Sequence, residues 1–104
     1  MKYSQAKQGR TFILRLEDGE IIHKTVEKFA QEKGIKSASL IILGGADQGS
    51  KLVVGPEDGH AKNIKPMQYV LENVREIAGV GTLFPAEDGD PILHMHITGG
   101  RKDS

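Results

Sequence analysis

The chain has 104 residues, 38% of them hydrophobic and 27% charged, a length that holds one domain. That composition excludes both a mainly disordered chain and a membrane protein. Lys+Arg and Asp+Glu number 14 each, so the formal net charge is zero and the positive excess that sequence-independent nucleic-acid binding draws on is missing. Cysteine is absent, which excludes disulfides, thiol nucleophiles and Cys-ligated zinc, and leaves His, carboxylates, Lys and hydroxyls to carry any chemistry.

The N-terminus, Met1 to Lys7, is polar, and no apolar run approaches the about 20 residues that span a bilayer, so the expected location is cytoplasmic with no membrane partner. From Thr11 to Leu16, Phe12, Leu14 and Leu16 recur at period two, which predicts a first half-buried strand. After the Glu17-Asp18-Gly19-Glu20 break the apolar positions become Ile22, Val26, Phe29 and Ala30, one side of a helix predicted over about 20–33. Lys33-Gly34 suits its C-terminus. The run from Ser37 to Leu43, ending in Gly44-Gly45, and the run from Lys51 to Val54 predict an antiparallel pair.

Gly55 to His60 is loop chemistry, Met67 to Leu71 a short strand and Glu76 to Phe84 a longer one. A turn over Pro85 to Pro91 leads into the last strand, Ile92 to Thr98. Most connections are too short for parallel crossovers, so the fold class is α+β: mainly one antiparallel sheet with one helix packed on it, in a single domain. On the long strand Gly79 and Gly81 share a face, and the expected occupant of the space above them is the helix.

His94 and His96 are the most informative residues. On a strand, alternate side chains point the same way, so the two imidazoles share one face while Leu93, Met95 and Ile97 take the other. Their Cα atoms lie about 7 Å apart, close enough for both rings to converge on one zinc, nickel, copper or iron ion. A stable site needs a third ligand, for which His60, His23, Asp47, Glu76 or a neighbouring subunit are candidates. The alternative for the same residues is a pair of solvent-facing structural histidines.

Other motifs carry less. Gly44-Gly45 and Gly79-Val80-Gly81 do not open a helix as phosphate-cradling loops do, and Ser37, Ser39 and Ser50 lack a nucleophile-elbow context. His60 reads as a loop residue and His23 as a helix-flank residue. The pairs Glu17-Asp18, Glu57-Asp58 and Glu87-Asp88 sit beside turns and serve solubility. Arg10, Arg101 and Lys102 join Lys2 and Lys7 in a basic patch only if the termini meet, and no aromatics interleave them.

The ordered segments Gly9 to Leu16, Ile35 to Gly45, Glu76 to Leu83 and Pro91 to His96 together resemble the plants-and-prokaryotes-conserved (PPC) domain over almost the whole chain. The resemblance implies an α+β fold assembled as a homotrimer, in a family whose prokaryotic members are mostly single-domain proteins of unestablished activity, often labelled as DNA-binding. In plant relatives the DNA contact comes from a separate Arg-Gly-Arg hook, whereas this chain has only Gly100-Arg101-Lys102. The family domain also continues past the His-x-His strand, in many members with another histidine that completes a metal site, so the expectation is a C-terminally short version.

Two functions follow as expectations. The first is a non-enzymatic, DNA-associated or regulatory binding module, with a zinc or other transition-metal site at His94 and His96 near a subunit boundary. The second is a small metal-dependent enzyme using the same histidines, with Glu76 or Asp47 as base.

Overall fold

The computed structural model describes residues 1–102. Its elements are helix α1 (Ile22–Glu32) and strands β1 (Ala38–Ala46), β2 (Lys51–Pro56), β3 (Pro66–Val70), β4 (Arg75–Pro85) and β5 (Pro91–Gly100). The architecture is α+β as expected, with every strand pairing antiparallel, but the strands form two sheets rather than one. The larger sheet has the order β1-β4-β5, and β2 pairs with β3 in a separate ribbon.

The expected pairing of β1 with β2 is therefore corrected. The residues between them fold into a turn in which the Ser50 amide donates to the Asp47 carbonyl. Beyond it the Leu71 amide donates to the Ser50 carbonyl and the Gly49 amide to the Leu71 carbonyl, which runs the β2–β3 pairing back into the turn. Backbone groups committed to the β3 side cannot also serve β1. β1 instead pairs along its whole length with β4, from Ala38 opposite Leu83 to Ala46 opposite Arg75.

Thr11 to Leu16 does not form the expected first strand. The period of two is real, but what it packs against is the helix. The Phe12 ring meets Phe29 edge-on at 5.2 Å, and the Arg10 guanidinium donates to the Lys33 carbonyl at the helix end. Alternation shows that one face is covered; it does not say whether a sheet or a helix covers it.

The helix itself follows the sequence closely. Its C-terminus is closed by Gly34 at φ 65°, with the Ile35 amide donating to the Ala30 carbonyl and the Gly34 amide to the Gln31 carbonyl, the double bond pattern of a glycine-ended helix. α1 lies against β5, where the Glu27 carboxylate accepts from the Leu93 amide at the sheet edge. Ile22 packs with Leu52 and Ile97 on the cluster Ala46, Leu71 and Ile77. Helix and ribbon thus cover one face of the larger sheet, the face of Ile77, Leu83 and Ile97.

The helix does not occupy the space above the paired glycines. A Cβ at Gly79 would lie 2.6 Å from Ile97 Cγ2 and 2.8 Å from the His96 carbonyl oxygen, and one at Gly81 would lie 2.9 Å from the His94 carbonyl oxygen. The close approach belongs to β5 and β1, the flanking strands, and the expectation is corrected accordingly. Among the described residues the apolar side chains withdrawn from solvent are Ala30, Ala46, Leu71, Ile77 and Leu83, a small core for a domain of this length. No helix among the described residues is long and apolar enough to cross a membrane.

Candidate metal centre

β4 and β5 pair in a register that places His96 opposite Val80 and His94 opposite Thr82. Because alternate residues share a face, His94 and His96 leave the sheet on the side away from the core, together with Ile92 and Thr98 of β5. Val80, Thr82 and Phe84 of β4 and Ile41 and Leu43 of β1 emerge on that side too. Sequence reasoning paired the two imidazoles correctly.

The rings converge. Their centroids are 5.1 Å apart with planes inclined at 46°, and the two Nε2 atoms approach to 3.0 Å. Two neutral imidazoles meet this way by sharing one proton, one Nε2–H donating to the lone pair of the other. The same separation suits two adjacent ligands of one ion. Bonds of about 2.0–2.1 Å put nitrogens about 3.3 Å apart at a tetrahedral angle and about 2.9 Å apart at a right angle, so 3.0 Å falls between the two geometries. To bind, the protonated ring moves its proton to Nδ1 and frees the second Nε2 lone pair.

The third-ligand candidates do not join the pair, and no group of three or more His, Asp or Glu among the described residues is arranged to hold an ion. Glu76 lies on β4 four residues from Val80, about 13 Å along the strand from the level of His96. Asp47 follows the end of β1 at that same distant edge. His23 is in the first turn of α1, on the covered side of the sheet. His60 belongs to the loop between β2 and β3, where its amide donates to the Asp58 carboxylate.

The acidic pairs build turns. Asp58 and Asp88 each accept from the amide two residues on, both at 2.9 Å, and Glu57 pairs with Lys65 at 3.4 Å across the ribbon. The basic residues at the two ends are engaged separately. Arg10 reaches the carbonyl at the C-terminus of α1, while Arg101 reaches the Val74 carbonyl beside the start of β4. The N-terminal turn of α1 packs at that second end, so about 16 Å of helix lies between the two contacts.

What sequence reasoning missed is the surface around the histidines. Ile41, Leu43 and Val80 are 81%, 79% and 62% exposed, and Phe84 and Ile92 are also more than half exposed, all on the outer face of one sheet. Apart from Glu76 at its edge, the outer-face positions of the three strands carry no charged side chain. A shallow open depression lined by Ile41, Leu43, Val80, His96 and Thr98 crosses it. The signal was present in Leu40-Ile41-Ile42-Leu43 and Ile77 to Phe84, which are apolar at both parities, as strands buried on both sides are.

The family model of the Plants and Prokaryotes Conserved (PCC) domain matches residues 3–104. No curated protein and no solved structure matches the chain.

Proposed function

The chain belongs to the Plants and Prokaryotes Conserved (PCC) domain family, and from that premise we propose that it is a binding module that holds a transition-metal ion, such as zinc, on His94 and His96. The observation that carries this reading is the 3.0 Å approach of the two Nε2 atoms on an exposed, otherwise apolar face. Nitrogen donors select zinc, nickel, copper or iron over magnesium and calcium. The ion's chemistry would be to orient and polarise whatever completes its shell, and the two imidazoles would hold it in place.

The same outer face is the surface through which we propose that the chain associates with further copies, as the homotrimer implied by the family resemblance. A DNA-associated or regulatory role belongs elsewhere on the molecule, because this face offers phosphate no Lys or Arg. The enzyme alternative needs a carboxylate within hydrogen-bond reach of a metal-bound water, and Glu76 and Asp47 lie at the far edge of the sheet.

The test is metal content. Protein purified without an affinity tag should carry zinc or a related ion in fixed proportion to chain, and the double variant His94→Ala, His96→Ala should lose it while keeping its circular dichroism. Equal metal content in the two proteins would overturn the assignment.

A further inference from the structure

We propose that the metal shell begun by His94 and His96 is completed by donors from a second copy of the chain, so that metal binding and self-association are one linked equilibrium. This rests on the metal reading above and adds where the missing ligands come from. Three observations carry it.

First, the pair supplies two adjacent positions on an ion, and a stable site takes three or four protein ligands. Among the described residues no third His, Asp or Glu of the same chain is arranged to join them. Second, both imidazoles project from the outer face, so the remaining positions on the ion point away from their own sheet and toward whatever covers it. Third, the surroundings select a protein surface as the cover. Ile41, Leu43, Val80, Phe84 and Ile92 ring the pair with exposed hydrocarbon, and β1 and β4 are apolar at both parities, the pattern of strands with protein on both sides. The face is uncharged apart from Glu76 at its edge, so two copies meet there without repulsion.

Linkage then requires reciprocity. If the ion touches two copies, it tightens their association by the same factor by which association tightens its binding. Zinc should lower the concentration at which wild-type protein dissociates, read by sedimentation velocity across a dilution series with and without the ion. The variant Ile41→Lys, Leu43→Lys places charges on β1, two strands from the histidines, and should be monomeric with the His pair intact. In this variant zinc binding, followed by calorimetry, should weaken by about tenfold or more.

The proposal is overturned if the monomeric variant binds zinc as tightly as wild type, or if zinc leaves the wild-type dissociation concentration unchanged. The second measurement needs no variant, so a misfolded variant would not shield the idea. Absence of zinc binding by wild type would instead overturn the underlying metal reading.

Discussion

At the scale of single residues, two neighbours on adjacent strands have opposite tolerance for change. Gly79 faces the covered side, and a methyl group there would press on Ile97 Cγ2 and on the His96 carbonyl oxygen. The side chain has some freedom to give way, but the carbonyl is fixed by the β4–β5 ladder. Gly79→Ala should therefore destabilise the fold by about 1–3 kcal/mol, as overpacking does, measurable as a lower urea midpoint. His96, opposite Val80 on the exposed face, should behave differently. His96→Ala removes one half of a surface hydrogen-bonded pair and should shift stability by no more than about 0.5 kcal/mol while abolishing the two-nitrogen donor set. A large loss of stability in His96→Ala would mean that the pair holds the sheet together instead of serving a ligand. The pairing of the two histidines was legible because strand period is a backbone property. The crowding at the glycines was legible only as a gap, since nothing in a sequence names the strand that will fill it.

At the scale of elements, the helix was readable to within two residues at either end, because its boundaries are set locally. Gly34 takes the left-handed conformation that lets the amides of Gly34 and Ile35 close the last turn. Gly34→Ala should cost about 1–2 kcal/mol from the strain of a Cβ at positive φ, with no contact to lose, since nothing lies within 4 Å of the added atom. Thermal unfolding of that variant separates backbone strain from packing. The strands were readable as strands but not as partners. β1 and β2 are close in sequence, yet β1 pairs with β4 across nearly thirty intervening residues, because pairing follows which apolar faces can be buried together. The misread segment, Thr11 to Leu16, teaches the same lesson. Its alternation was satisfied by Phe29 and the helix end, a partner that period two does not specify.

At the scale of the whole molecule, the two faces of the β1–β4–β5 sheet are unequally served. One carries the helix, the ribbon and a core of a few fully buried side chains; the other leaves Ile41, Leu43 and Val80 largely in contact with solvent. Full burial of one such side chain contributes about 1.5–3 kcal/mol, so covering several of them is comparable with the whole stability of a small domain. Association through this face should therefore appear in the unfolding equilibrium, since a species that binds the folded chain alone stabilises it by mass action. The urea midpoint of wild-type protein should rise with protein concentration over a hundredfold range. In Ile41→Lys, Leu43→Lys the midpoint should be lower and independent of concentration, because the exposed face no longer recruits a second copy while the covered face and its core are untouched. A wild-type midpoint that stays constant with concentration would show that the lone chain is stable with its apolar face in water, and would remove self-association from the account of this fold.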